Sequence, residues 1–207
     1  MIRNIRKFFW LFTVWLCLLG CSAAHDDNTD VSQSYQARIE KHRTETAAYF
    51  AGPDSPVPDS LHSAFKGVQY YPVDTQYRVT AEFIPQANGP IFTIRATGKI
   101  ADVYQTVGKL QFSLTGTACT LEVYKNITAE QESGEVYYFI PFFDPTNGDE
   151  TYGGGRYLDL EALRPGKIEL DFNLAYQPYC YYNHAYSCPI PPLANTLPVA
   201  VQAGERM

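Results

Sequence analysis

The sequence predicts a mainly β protein, an antiparallel sandwich or a partly open barrel, with one amphipathic helix ahead of it. Three observations carry that expectation. Apolar and polar residues alternate with period two in a series of short runs, as half-buried strands require. Glycine and proline, 14 of each in 207 residues, punctuate those runs and leave little room for long helices. The aromatic complement is 16 Tyr and 12 Phe against 2 Trp, residues that favour strands and half-buried surfaces. The length suits one domain of residues 33–207 with a leader and a tether before it.

The elements follow in order. Residues 1–20 hold Arg3, Arg6 and Lys7, then an apolar run from Phe8 to Leu19. That run is shorter than the ~20 residues a spanning helix needs, so it reads as a secretory signal. Its end, Leu18-Leu19-Gly20-Cys21, resembles the lipobox of bacterial lipoproteins. The resemblance implies cleavage before Cys21, acylation of that cysteine and anchoring to a membrane. Ser22 after the cysteine resembles the pattern sorted to an outer membrane, where the cell has one. Several acyl chains anchor stably where one does not. Residues 21–32 are small, polar and acidic and read as a flexible lipid-anchored tether. From Gln33 to Phe50, Tyr35, Ile39, His42, Thr46 and Tyr49 fall near one helical face. Gly52, Pro53, Pro56 and Pro58 end that helix.

Strands are then expected at 77–83, 91–97, 101–107, 110–116, 119–125, 136–142 and 167–173, with a last one at 197–205. Asn88-Gly89-Pro90, Gly98, Gly108 and Gly116 supply the turn signals between them. No Rossmann or Walker pattern follows any strand.

Charge narrows the partners. The formal charge is −6, and loss of Arg3, Arg6 and Lys7 with the leader takes it to −9. No basic surplus exists to replace phosphate counterions, so nucleic acid is excluded as a partner. Cys180 and Cys188 lie eight positions apart in a Tyr- and Pro-rich stretch. In an oxidising compartment a disulfide is the first reading of that pair. Zinc held by Cys180, His184 and Cys188, or a Cys180–His184 or Ser187–His184 nucleophile pair, stands behind it. Cys119, in an alternating run, reads as a buried thiol. No metal site and no cofactor is implied.

The unusual chemistry gathers in Asp149-Glu150-Thr151-Tyr152-Gly153-Gly154-Gly155-Arg156-Tyr157-Leu158-Asp159. The glycines resemble a phosphate cradle, but no Lys-Ser/Thr follows them. Asp144, Asn147, Asp149 and Glu150 have the oxygens of a calcium loop without EF-hand spacing, and a solvated turn is the simpler reading. Glu150, Tyr152, Arg156, Tyr157, Asp159, Asp171, Asn173 and Tyr176 form the expected ligand-binding set. An arginine among so many aromatics needs a carboxylate, expected to be Asp159, Asp171 or Glu150. The same group is equally readable as a scaffold.

From about residue 33 to Glu205, and most densely from Phe139 onward, the chain resembles the exported proteins of domain of unknown function family 1684. The motif from Glu150 to Tyr157 carries the resemblance, as do Asp171-Phe172-Asn173 with Ala175, Tyr176, Pro178 and Cys180, and Cys188-Pro189 beyond. Gln177 stands where the family usually has Asn, Tyr181 where a small residue is usual, and Ala194 and Thr196 where charged residues are common. The resemblance implies export and architecture, not a reaction. Three functions stay open: a lipid-anchored extracytoplasmic module binding a small ligand or an envelope partner, a carboxylate-dependent hydrolase with Asp171, Glu150 or Asp159 as acid or base, and a purely structural envelope lipoprotein. Oligomeric state is not readable from the sequence.

Overall fold

A computed structural model describes residues 27–98 and 102–207. The expected signal peptide, Cys21 and the first half of the tether lie outside the described residues. In chain order the elements are α1 (Asp27–Phe50), α2 (Asp59–His62), β1 (Gln69–Tyr70), β2 (Arg78–Pro85), β3 (Ile91–Thr93), β4 (Val103–Leu114), β5 (Thr117–Asn126), α3 (Ile127–Ser133), β6 (Tyr138–Phe142), β7 (Arg156–Leu160), β8 (Gly166–Asp171), α4 (Tyr179–Tyr182) and β9 (Glu205–Arg206).

Strands run β7-β6-β5-β4-β2-β8 across one antiparallel sheet, with β3 added to the far half of β4. The sheet curls into a half-barrel. The sandwich alternative is thereby set aside in favour of the partly open barrel. The two end strands, β7 and β8, are not joined to each other by a ladder, so the curl keeps an open seam.

Alternation places the core. On β4 the buried positions are Tyr104, Thr106, Gly108, Leu110, Phe112 and Leu114, every second residue. Leu110, Phe112 and Leu114 meet Cys119, Leu121 and Val123 of β5, Ile140 and Phe142 of β6, and Leu158 of β7 inside the curl. Cys119 is a buried free thiol there, as its alternating run predicts. Ile94, Tyr104, Tyr124, Phe139 and Tyr157 form a second cluster with Cys180 and Cys188.

Two turn signals have different outcomes. At Gly116 the chain turns in two residues, Thr115 at φ 48° and Gly116 at φ 82°, the positive-φ pair a tight hairpin requires. Gly108 is not a turn. It sits in the middle of β4, where the pairing with β5 shifts register. A Cβ there would lie 2.5 Å from the Ile84 carbonyl oxygen and 2.5 Å from the Phe83 ring. The glycine admits a close neighbour, so two expected strands are one.

The expected strand at 197–205 is likewise corrected. Only Glu205–Arg206 joins a ladder, with β1. Leu197, Val201 and Ala203 enter the core without one. Pro198 brings no N–H to pair, and the carbonyls of Val201, Ala203 and Glu205 are taken by the side chain of Arg156.

Helix α1 starts ahead of Gln33 and so takes in residues 27–32 of the expected tether. It buries Tyr35, Ile39 and Phe50, while His42 and Tyr49, expected on the buried face, are exposed. Its fastening is mostly polar. The Tyr35 hydroxyl donates to both Asp171 oxygens at 2.9 and 3.0 Å. The guanidinium groups of Arg38 and Arg78 stand over the Tyr35 ring, at 5.2 and 4.8 Å from its centre. Arg43 donates to the Tyr71 carbonyl at 2.8 Å, and Phe50 packs edge-on against Tyr182.

Candidate functional site

Arg156 opens β7 and is fully buried. Its partner is Asp144, at 2.7 Å, and both side chains are wholly out of solvent. The expected partners Glu150, Asp159 and Asp171 are corrected by this: none pairs with Arg156. Asp144 lies two residues past β6 in a turn it organises itself, accepting from the Thr146 backbone N–H at 2.7 Å and from the Thr146 hydroxyl. Thr151 closes the knot on Thr146 and Asn147, at 2.8 Å each. The inner side of this turn is buried, with Asp144 and Thr146 facing the guanidinium and Thr151 behind them, while Pro145, Gly148 and Asp149 stay exposed. The other terminal N–H groups of Arg156 go to Ala203 O at 2.6 Å, Val201 O at 2.6 Å and Glu205 O at 3.1 Å, while its buried Nε–H has no partner. A buried guanidinium whose four terminal N–H groups serve one carboxylate and three carbonyls is a scaffold. Gly155 brings β7 to it at φ 87°, with the Phe142 carbonyl only 2.8 Å from where a Cβ would stand. That close approach is what the third glycine of the motif serves.

The accessible chemistry lies elsewhere, at the open seam. A cavity of about 860 Å³ runs between α1 and the edges of β7 and β8. Leu158, Leu160, Ile168, Leu170 and Leu174 give it apolar walls. Helix α1 contributes Arg38, His42, Glu45 and Tyr49 at helical spacing, and α4 contributes Tyr179. Of the residues expected from sequence, Asp159, Asp171 and Tyr176 line this cavity. Its volume falls in the range of small-ligand sites.

Each expected carboxylate has a distinct environment. Asp171 accepts from Tyr35, from Arg38 at 3.3 Å, and from the backbone and side chain of Asn173 at 3.0 Å. Tyr35→Phe should therefore cost about 1.5–3 kcal/mol, the range for a hydrogen bond to a charged group, and should loosen α1. Amide exchange along residues 35–50 would report the loosening, and unchanged exchange would contradict the role. Asp159 accepts from Tyr137 at 2.5 Å and from Tyr176 at 3.0 and 2.9 Å. It keeps solvent along one side, yet crowding around the carboxylate raises its pKa against the pull of the two hydroxyls. Burial likewise pushes the Tyr176 hydroxyl well above its ordinary value, and Tyr137 and Asp159 beside it add to that.

Glu205 also lines the cavity, and sequence reasoning missed it. It is buried, accepts from the Gln177 backbone N–H at 2.8 Å and the Tyr182 hydroxyl at 3.0 Å, and its pKa is pushed up to about 7 by burial. Nothing local marks it: it stands in a short Ala-Gly-Glu run whose environment is made by distant segments. Arg38, His42, Glu45 and Tyr49 carried a usable signal, since their spacing of three to four residues puts them on one helical stripe.

The other expected residues are drawn into structure. The Asn173 amide pairs with both backbone groups of Asp74, at 2.9 and 2.8 Å. Tyr157 is buried and its hydroxyl donates to the Pro189 carbonyl. Glu150 accepts from Tyr71 at 3.1 Å and from Gln202 at 3.3 Å. The Tyr152 ring meets Tyr181, and its N–H donates to the Gln177 side chain at 2.8 Å. So the eight residues do not form one site. Cys180 and Cys188 are neighbouring buried free thiols, the Cys180 N–H donating to the Cys188 sulfur at 3.1 Å. Their mutual hydrogen bond favours the Cys180 thiolate and leaves the proton on Cys188. Among the described residues no group of three or more His, Cys, Asp or Glu is placed to hold a metal ion, and no helix is long and apolar enough to cross a membrane.

Comparison with solved structures finds this fold in the solution NMR structure of an uncharacterized protein of Haloarcula marismortui. The two chains are 34% identical, with a TM-score of 0.68 over 86% of this chain and 97% of that one. No curated protein matches the sequence. Residues 63–206 match the family described as "Protein of unknown function (DUF1684)". That match takes in the half-barrel, the Asp144–Arg156 knot and both edges of the seam, and the chain belongs to this family.

Proposed function

We propose that this protein is an extracytoplasmic, lipid-anchored binding module that holds a small ligand in the seam cavity. The cavity itself carries the reading: about 860 Å³, apolar on its walls and rimmed by Asp159, Asp171, Tyr176 and the polar stripe of α1. Apolar walls with a few fixed polar groups are the usual make-up of a small-molecule site. The basic start, the short apolar run and Leu18-Leu19-Gly20-Cys21 support export and acylation at Cys21. A thermal-shift screen of the detergent-solubilised full chain tests the binding. A ligand held at about 100 times its dissociation constant stabilises by ~2.7 kcal/mol, and Leu174→Trp, which fills the cavity, should abolish the shift. A shift that survives the filled cavity places the ligand elsewhere.

Two tests address the anchor and the cysteines. Cys21→Ala should abolish acyl labelling and membrane retention, and retained labelled protein would refute lipidation. In exported protein, non-reducing peptide mapping should find Cys180 joined to Cys188, the pair that Cys180 N–H and the second aromatic cluster hold together. Two alkylatable thiols would refute the bridge.

A hydrolase is the second reading, favoured by one observation. Glu205, with its pKa near neutrality, shares the cavity with Asp171 and Asp159, the separation of carboxyl environments that acid and base roles require. Arg156 has no part in it, being closed off from the cavity by its own partners. Turnover of any substrate abolished by Glu205→Gln would favour this over simple binding.

A further inference from the structure

We propose that the seam cavity takes a small organic cation, an ammonium group carried on an apolar or aromatic body. The inference rests on the binding reading above and names its ligand class. Carboxylates outnumber cations on the lining: Glu45, Asp159, Glu161, Glu169, Asp171 and Glu205 face Arg38 and His42. Lys41 pairs with Glu45 along α1 at 3.7 Å, and the other cations that reach these acids are gathered at the β8 edge. Arg38 stands 3.3 Å from both Glu169 and Asp171, and Arg78 stands 2.5 Å from Glu169. On the opposite side, at β7 and β9, Asp159, Glu161 and Glu205 form no ion pair among the described residues. Asp159 and Glu205 make do with neutral donors, the hydroxyls of Tyr137, Tyr176 and Tyr182 and one backbone N–H.

An anionic ligand would add like charge to this side, whereas a cation supplies the counter-charge that the protein omits. The same side carries the aromatic rings. Tyr49 and Tyr179 stack at 6.4 Å, and Tyr176 stands beside Asp159. Ring faces next to carboxylates recognise an ammonium by both its charge and its alkyl surface. Leu158, Leu160, Ile168 and Leu174 then accept the apolar body.

The test compares three isosteres by titration calorimetry on the full chain: phenethylammonium, 2-phenylethanol and 3-phenylpropionate. Phenethylammonium should bind at least tenfold more tightly than the alcohol, and the carboxylate should not bind. Asp159→Asn, which keeps an acceptor for both tyrosines, should bring the ammonium to the level of the alcohol. Glu132→Gln, an exposed acid on α3 remote from the cavity, should leave it unchanged. Equal or tighter binding of the alcohol or the carboxylate overturns the cation while leaving a binding cavity. Loss of affinity in Glu132→Gln equal to that in Asp159→Asn overturns the site in favour of the general acidity of the chain. No binding by any of the three, with no cavity amide shifting by NMR, overturns both the cation and the reading beneath it.

Discussion

Arg156→Ala should destabilise the protein by about 3–5 kcal/mol in equilibrium urea unfolding, the cost of leaving one partner of a buried pair alone. Asp144 has no exposure through which water could replace the guanidinium. The substitution also strips donors from the carbonyls of Val201, Ala203 and Glu205, the first two of which lie outside any strand ladder. Arg156→Lys should recover little, because a single ammonium cannot reach an aspartate and three carbonyls set around a planar fork. Joint replacement, Arg156→Met with Asp144→Leu, should lie closer to wild type than Arg156→Ala, since no charge is then left unpaired. A wild-type urea midpoint in Arg156→Ala would refute the scaffold role.

Raising the pH from 4 to 8 should remove about 3 kcal/mol of stability through Glu205. Burial raises its carboxyl from 4.5 to about 7, against the opposing pull of the Gln177 N–H, the Tyr182 hydroxyl and the nearby Arg156 charge. The unfolded chain gives up this proton near its ordinary value while the folded chain keeps it. The contribution is therefore complete below about pH 4.5 and is lost as pH rises through about 7. Asp159, raised by the crowding around it, adds to the same slope. Glu169, lowered by its hydrogen bond to Arg78, acts in the opposite sense but only in acid below its ordinary value. Glu205→Gln should flatten the urea-unfolding free energy between pH 5 and 8. A slope unchanged in that variant would assign it to other groups.

Local patterning told most of the sheet and little of the site. Strands such as β4 and β5 declare themselves because alternation is a property of neighbours in sequence. Gly108 misled because a glycine in a strand serves either a turn or a close neighbour, and the neighbour, Phe83, is remote in sequence. The stretch 197–205 has the alternation of a strand, but its hydrogen-bond partner is a side chain. Short-range chemistry also misplaced the site. Arg156 and the glycines before it drew attention by being unusual, and they are unusual because a buried charge demands a buried turn around it. Asn195 shows the same limit: its amide bridges Glu122 of β5 and Pro141 of β6, at 2.7–2.9 Å, and its sequence neighbours announce none of this. The seam cavity is assembled from α1, β7, β8, α4 and Glu205, whose meeting only the topology decides.

The fastening of residues 201–205 by Arg156 also sets an order of events during synthesis. Asp144 precedes Arg156 in the chain, but the three carbonyls that Arg156 also serves lie some 45 to 49 positions later. The α1 fastening spans a longer stretch of chain, since Tyr35 must meet Asp171 across 136 positions. Contacts this distant slow folding, because loop closure is paid before they form. A chain ending before residue 201 lacks all three carbonyls that Arg156 serves, so the core is completed only by its last segment.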